Sequence, residues 1–182
     1  FYGVYAGGWM KARGLALRRR DTPELVRQAQ EAMLVKLAEA DDSTEFREKI
    51  PEAIQILRKY AEKLLVGDVS TTDLSINKQL SKNPATYAHE VFQAIAAHQL
   101  VNIGVDIQAG QTVEYVILDA DAERLEDRVK PVQFLELNSP YDRDKYLELL
   151  LSAGEELLSP FGYTTQKLEE PIFNYTQALL EY

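Results

Sequence analysis

Cysteine is absent from the sequence, histidine occurs only twice, and no long apolar run is present. The absence of cysteine excludes disulfides, thiolate zinc sites and cysteine nucleophiles, and it weakly favours a reducing compartment. His89 and His98 are nine residues apart without an acidic cluster beside them, which argues against a metal site. Because a membrane-spanning helix needs about 20 apolar residues, we also expect no segment to cross a membrane.

What the sequence does have is an uneven distribution of charge. The 182 residues carry a net charge of −9, yet residues 1–20 contain five basic side chains and no acidic one, so the remaining chain carries −14. Such a charge run is either a solvated surface or a phosphate-binding patch, for which the planar guanidinium fork of arginine is well matched. The length allows one or two modest cores, and the acidic remainder argues against nucleic-acid binding over the whole surface.

The basic residues lie in and after a predicted β-hairpin. Residues 2–5 and 9–10 are rich in aromatic and β-branched side chains, and Gly7 and Gly8 lie between them. Two such runs around a glycine pair predict antiparallel strands joined by a tight turn. Residues 18–20 are three consecutive arginines, and they place concentrated positive charge at the start of the helix that follows.

Helical periodicity dominates the next part of the chain. Asp21 or Thr22 is predicted to cap a first helix that has Pro23 in its first turn. A short polar break at residues 41–43 separates this helix from a second amphipathic helix. Two such helices joined by a short polar loop are expected to pack as an antiparallel hairpin over residues 22–66.

The second half of the sequence predicts a small β element among helices. Residues 113–118 are the best strand candidate because they are β-branched with an aromatic centre. The first part of residues 70–80 suggests a short strand or a helical turn, and alternating charges at residues 119–128 indicate a solvated loop or surface helix. Further helices are predicted from His89 and over residues 146–158. The whole pattern predicts an α+β protein that is mainly helical.

Several motifs resemble family B DNA polymerases, especially the archaeal type, and together they cover roughly residues 1–163. Residues 1–21 are similar to a family pattern of a Tyr-x-Gly-(Leu/Val)-Tyr strand, a glycine turn and Gly-Leu-x-x-x-Arg-Arg-Asp, with Phe1 in place of the first tyrosine. Residues 74–82 match Leu-x-Ile-x-Lys-x-Leu-x-Lys, and residues 110–117 match Gly-x-x-Val-x-Tyr-Val-Ile. Residues 158–162 match the closing Leu-x-Pro-Phe-Gly.

This resemblance implies a position within a polymerase. Residues 1–21 would be the C-terminal hairpin of the palm, residues 22–163 a helical thumb with a small β element, and residues 164–182 a C-terminal tail. The implied function is to bind primer–template duplex DNA through its phosphate backbone during DNA-directed DNA synthesis. The implied partners are this duplex and the rest of the polymerase (N-terminal, exonuclease, palm and fingers), with no membrane partner and a cytoplasmic, nucleoid-associated location.

The residues expected at the DNA backbone are all basic. Resemblance and charge together assign Lys11, Arg13, Arg18, Arg19, Arg20, Lys78 and Lys82 to this site. We expect the last four of these to lie on one concave surface, because all four would follow a single DNA backbone. Without the resemblance, Lys78 and Lys82 are more simply explained as solvated lysines beside a turn.

The catalytic motifs of the family are missing from the sequence. Nucleotidyl transfer needs two divalent ions held by carboxylates, about 4 Å apart. The family carries these carboxylates after a hydrophobic palm strand and in an Asp-Thr-Asp turn, and neither motif occurs here. We therefore expect no catalytic or metal-ligating residue and no cofactor in this chain, with Mg²⁺ bound elsewhere in the complete polymerase. Such a chain would be inactive alone and would belong to a larger or split enzyme.

A different class of function remains open when the resemblance is set aside. Acidic helices are also typical of an α-rich protein-interaction module that does not bind DNA. Duplex binding with a steep salt dependence separates the two interpretations.

Overall fold

A computed structural model describes residues 2–5, 9–87, 91–136 and 139–170 of the chain. The chain divides into two compact units, unit 1 (Phe1–Val69 and Tyr146–Tyr182) and unit 2 (Ser70–Lys145). In chain order the strands and helices are β1 (Tyr2–Tyr5), β2 (Trp9–Ala12), α1 (Glu24–Leu37), α2 (Ser43–Val66), β3 (Ile76–Gln79), α3 (Phe92–Asn102), β4 (Thr112–Ile117), α4 (Leu125–Arg128), β5 (Val129–Pro131) and α5 (Arg143–Leu158). This content confirms the predicted α+β, mainly helical class. None of the helices described is long and apolar enough to cross a membrane.

Unit 1 begins with the predicted β-hairpin. β1 and β2 are antiparallel, with Tyr2 paired to Ala12 and Tyr5 paired to Trp9. The predicted glycine turn at residues 6–8 lies outside the described residues. A 3₁₀ turn over Ala16–Arg18 then leads towards α1.

α1 and α2 form the predicted helical hairpin, and α5 packs against it to close the core of unit 1. The side chains that fill this core are apolar and less than 2 % exposed: Met33, Leu34, Leu37, Leu57, Leu64, Tyr146, Leu150, Leu157 and Leu158. Gly154 of α5 allows a close approach to α2, because a Cβ atom there would lie 2.7 Å from Leu57 Cδ2. The core therefore joins residues that are about a hundred positions apart in the sequence, as Leu57 and Gly154 show.

The start of α1 differs from the sequence prediction. Pro23 occupies the capping position with ψ 147°, and no side chain caps the helix there. The helix begins at Glu24, one residue later than a cap at Thr22 predicts and two later than a cap at Asp21 predicts, so neither side chain occupies the capping position. The fixed φ of proline, here −55°, suits a residue directly before a helix.

Asp42 caps α2, and its substitution gives a first prediction. Its Oδ1 accepts the Thr44 N–H at 2.7 Å and the Glu45 N–H at 3.0 Å, and these hydrogen bonds, that of Glu45 foremost, lower the pKa of Asp42. Asp42→Ala is expected to lower the thermal midpoint at neutral pH, whereas Asp42→Asn retains a cap. Because the pKa is lowered in the folded state, the charge-dependent stabilisation is complete above the ordinary value of 3.8 and is lost as pH falls through the lower folded pKa.

Asp41 provides the matched control for this prediction, because it is an exposed aspartate next to the cap. Thermal unfolding of the chain followed by circular dichroism, at neutral pH and at acid pH, compares the variants. A midpoint that falls as much in Asp41→Ala as in Asp42→Ala would contradict the capping role.

Unit 2 is organised around an antiparallel sheet with the order β3-β4-β5. Ile76 pairs with Tyr115 and Ile117 pairs with Val129, and α3 packs against β4 and β5. β4 confirms the strand predicted at residues 113–118. His89, where the third helix was predicted to begin, lies outside the described residues.

Two details of unit 2 depart from the sequence prediction. The segment before β3 is a 3₁₀ turn over Thr71–Leu74, so the strand falls in the second part of residues 70–80. β5 was not predicted, because it spans three residues that include Lys130 and Pro131. Proline is tolerated at the edge of a sheet, and β5 is an edge strand whose pairing is decided by β4.

Candidate nucleic-acid interface

Buried and exposed residues alternate in the basic segment that follows β2. Ala12, Leu15 and Ala16 are 8 %, 3 % and 1 % exposed, whereas Arg13 is exposed. Gly14 has a φ of 73°, a left-handed conformation that favours glycine, and it turns the chain out of β2. Buried apolar residues thus fix the backbone to unit 1 while the Arg13 side chain between them reaches solvent.

The three arginines lie on and after the 3₁₀ turn, and residues 16–20 are called the arginine turn below. All three are exposed, but their contacts differ. Arg19 Nη1 donates to Glu156 Oε1 at 2.7 Å, with the two side chains 51 % and 25 % exposed. Arg18 and Arg20 have no hydrogen bond or ion pair with any side chain in the described part of the chain. Arg18 and Arg20 therefore present positive charge that no described acidic side chain compensates.

Gln30 and Glu156 hold the backbone of the arginine turn. The first two N–H groups of the turn have no partner within it, because Leu15 gives no side-chain cap. Glu156 Oε2 accepts the Ala16 N–H at 2.7 Å, and Gln30 Oε1 accepts the Leu17 N–H at 2.8 Å. The Gln30 amide nitrogen donates to the Ala153 carbonyl at 2.8 Å and to Glu156 Oε2 at 3.0 Å. Gln30 is 0 % exposed, so α1 and α5 together fix the turn through a buried amide.

The lysines of unit 2 occupy two different environments. Lys78 lies between Ile76 and Leu80 along β3, pairs with Val113 and is half-buried. Because side chains alternate along a strand, Lys78 shares the face of the sheet on which Ile76 and Leu80 are buried. Lys82 follows the strand and is exposed.

Tyr87 organises the loop that carries Lys82. Its hydroxyl accepts the Ser81 N–H at 2.9 Å and lies 3.2 Å from Ser81 Oγ. Lys82 Nζ lies 5.0 Å from the centroid of the Tyr87 ring, within cation–π range. The pKa of Tyr87 is lowered, first by the hydrogen bond with the Ser81 side chain and then by the backbone N–H groups and the charge of Lys82. The exposed ammonium is therefore held over an aromatic face.

The seven basic residues assigned from the sequence fall into two groups. Lys11, Arg13 and residues 18–20 lie in one continuous segment of unit 1, and Lys78 and Lys82 lie in unit 2. The expectation that both groups share one surface stays a prediction. Gln30, Tyr87 and Glu156 were missed, because no local motif marks them and Glu156 follows another glutamate on a helix far along the chain.

The described residues contain no set of side chains that could hold a metal ion. Within residues 2–5, 9–87, 91–136 and 139–170, no three histidine, cysteine, aspartate or glutamate side chains come together to hold an ion. The donors present therefore do not fit a divalent cation, and we derive no chemical step through one.

Comparison with protein families defines the class to which these features belong. The profile of DNA polymerase family B matches residues 3–161, which is most of the chain. The chain therefore belongs to DNA polymerase family B.

Particular relatives of the chain are archaeal DNA polymerases. DNA polymerase 1 of Saccharolobus solfataricus is 28 % identical over 172 residues, covering 92 % of this chain and 18 % of that protein. A DNA polymerase of Thermococcus sp. (strain 9oN-7) is 29 % identical over 163 residues, covering 88 % of this chain and 20 % of that protein. The solved structure of the family B DNA polymerase from Pyrobaculum calidifontis superimposes with a TM-score of 0.68 at 26 % identity, over 85 % of this chain and 19 % of that one. The chain thus spans about a fifth of the length of these relatives, and the resemblance to archaeal family B polymerases is confirmed.

Proposed function

We propose that this chain forms the end of the palm and the thumb of a family B DNA polymerase and binds primer–template duplex DNA through its phosphate backbone. The observation that carries this proposal is the pair of exposed arginines, Arg18 and Arg20, which have no acidic partner among the described residues. Exposed cationic groups of this kind attract a polyanion. Arginine also binds phosphate through two parallel hydrogen bonds.

The proposed contacts hold the duplex without reading its sequence. Lys11, Arg13, Arg18, Arg20, Lys78 and Lys82 would bind phosphate oxygens, which carry no base information. Such contacts suit a polymerase that must move along any template. Arg19, the seventh basic residue assigned from the sequence, forms an ion pair with Glu156. The division into a palm hairpin (residues 1–21), a thumb (22–163) and a tail (164–182) belongs to the same proposal.

In the complete polymerase, the catalytic carboxylates and Mg²⁺ would lie in other segments. This chain would then contribute affinity and processivity, and alone it would not catalyse nucleotide addition. Its partners would be the duplex and the remaining polymerase segments, and its location would be the nucleoid.

The single substitution Arg20→Ala tests the proposed binding. Each lost phosphate contact is expected to flatten the slope of log K against log salt by about 0.9. Fluorescence anisotropy of the chain with a labelled duplex, over a range of salt concentrations, measures this slope. If Arg20, Lys78 and Lys82 each bind one phosphate, their joint contribution is a slope of about −2.7.

Arg47 provides a matched control for Arg20. It is an exposed arginine in the second turn of α2, next to the loop that joins the two helices. α1 has 14 residues, and at about 1.5 Å per residue this loop lies about 20 Å from the start of α1, where the arginine turn lies. Arg47→Ala should therefore leave the slope unchanged. A slope that does not change in Arg20→Ala, or that changes equally in both variants, would refute the binding site.

A protein-interaction module remains the second candidate, and one observation favours it. An open groove of about 500 Å³ lies between α1 and α2, lined in part by Ala32, Val35, Ile56 and Tyr60. Val35 is 57 % exposed in this groove. An absence of duplex binding at low salt by the folded chain would favour this second function over the first.

A further inference from the structure

Glu156 contacts the arginine turn at two points with one carboxylate. Its Oε2 accepts a hydrogen bond from the backbone N–H of Ala16, and its Oε1 accepts one from the guanidinium of Arg19, both at 2.7 Å. Hydrogen bonds between charged groups at this distance are stronger than neutral ones. The carboxylate therefore fixes both the backbone of the turn and the direction of the Arg19 side chain.

The position of Glu156 is itself determined by the core of unit 1. Gln30 is fully buried and donates to Glu156 Oε2 at 3.0 Å while it also binds the Ala153 carbonyl and the Leu17 N–H. A buried amide that makes all these hydrogen bonds has one favourable orientation. Residues of α1 and α5 thus fix the position of the Glu156 carboxylate, which distinguishes it from a mobile glutamate on the surface.

The ion pair also changes the charge that the turn offers to a polyanion. Arg19 and Glu156 together carry no net charge, so a phosphate that binds Arg19 would also approach a carboxylate. Arg18 and Arg20 keep their full charge, because no acidic side chain among the described residues pairs with them. The three arginines are therefore not equivalent, although they are adjacent in the sequence.

We propose that Glu156 is the positioning residue of the arginine turn, and that it withholds Arg19 from phosphate so that Arg18 and Arg20 bind the DNA backbone. This proposal rests on the proposed DNA binding and assigns Arg19 a structural role within it. Glu156 limits the affinity of the turn for duplex DNA while it fixes the turn's geometry.

A cycle of charge variants tests this role. Glu156→Gln retains an oxygen for the Ala16 N–H but removes the charge that compensates Arg19. Duplex binding should then gain one phosphate contact: the salt slope steepens by about 0.9, and affinity at about 0.1 M salt rises about 8-fold. Arg19→Ala in the parent chain should leave the slope unchanged, and Arg19→Ala combined with Glu156→Gln should restore the parent slope.

Glu155 is the matched control for the change in net charge. Glu155→Gln alters the charge by the same amount at the adjacent position, where the Glu155 carboxylate accepts the Thr165 N–H at 3.1 Å and does not contact the arginine turn. This variant should leave the slope unchanged. An equal effect of Glu155→Gln and Glu156→Gln, or a steepening that persists without Arg19, would overturn the proposal.

Two further results separate the possible failures. If Arg20→Ala flattens the slope but Glu156→Gln does not change it, only the role of Glu156 is wrong. If Arg20→Ala also has no effect, the proposed DNA binding itself fails. Should Glu156→Gln not fold, the Arg19→Ala chain still decides, because flattening by about 0.9 would show that Arg19 binds phosphate directly.

Discussion

Replacement of Gln30 by leucine is expected to lower the free energy of unfolding by about 2 to 4 kcal/mol. The substitution leaves the Leu17 N–H without its acceptor and removes the amide's hydrogen bonds to the Ala153 carbonyl and to Glu156 Oε2, beside a side chain that is 0 % exposed. An unsatisfied buried polar group costs about 1 to 3 kcal/mol. The apolar surface of leucine offsets only part of this loss, because its shape does not replace the amide's hydrogen bonds.

Gln28 on the same helix gives the matched control. Its side chain is exposed and, among the residues that the structure describes, donates to Glu24 Oε1 alone, at 3.1 Å. Gln28→Leu should therefore change stability by less than about 0.5 kcal/mol. Urea unfolding of both variants measures the difference. Equal stabilities would mean that the buried amide does not hold the arginine turn, and the positioning role of Glu156 would lose its support.

The second large effect is expected from removing the two uncompensated arginines together. Arg18→Ala with Arg20→Ala should weaken duplex binding about 60-fold at about 0.1 M salt, because each phosphate contact contributes about 0.9 logarithmic units per decade of salt. The loss should be the same on duplexes of unrelated sequence, since phosphate contacts do not read bases. Anisotropy titrations with two such duplexes measure it.

A double control keeps the number of removed charges equal. Arg47 and Lys59 are both exposed on α2, away from the arginine turn in sequence. Arg47→Ala with Lys59→Ala should reduce affinity far less than the double variant of the turn. A loss that depends on the sequence of the duplex would instead indicate base contacts and would contradict the proposed mode of binding.

The sequence predicted the long helices and the central strand of this chain better than the helix boundaries and the short edge strand. Strong periodicity predicted α1, α2 and β4, because an apolar stripe or a β-branched run reports burial directly. The start of α1 was misplaced, since Pro23 takes the capping position. β5 was missed because a three-residue edge strand carries almost no local signal and forms only through its pairing with β4.

In the candidate site, too, the sequence predicts what adjacent residues determine and misses contacts between residues that are far apart in the sequence. A run of three arginines is visible in the sequence, and so are two lysines spaced four apart. The sequence does not show that Arg19 differs from the other two arginines by its ion pair. Glu156 lies 137 positions from Arg19 and is brought to it only by the packing of α5. Lys78 also looks like an ordinary basic residue in the sequence, whereas its position in β3 places it beside buried side chains. Contacts between distant residues decide these roles.

The dependence of duplex affinity on salt, measured for the parent chain and for the chain with Arg18→Ala and Arg20→Ala, tests the phosphate-backbone binding most directly. Between about 50 and 200 mM salt, the slope of log K against log salt should be shallower in the double variant by about 1.8, which corresponds to two lost phosphate contacts. Parallel lines for the two chains would contradict phosphate binding by the arginine turn, and its charge would then be only a solvated surface.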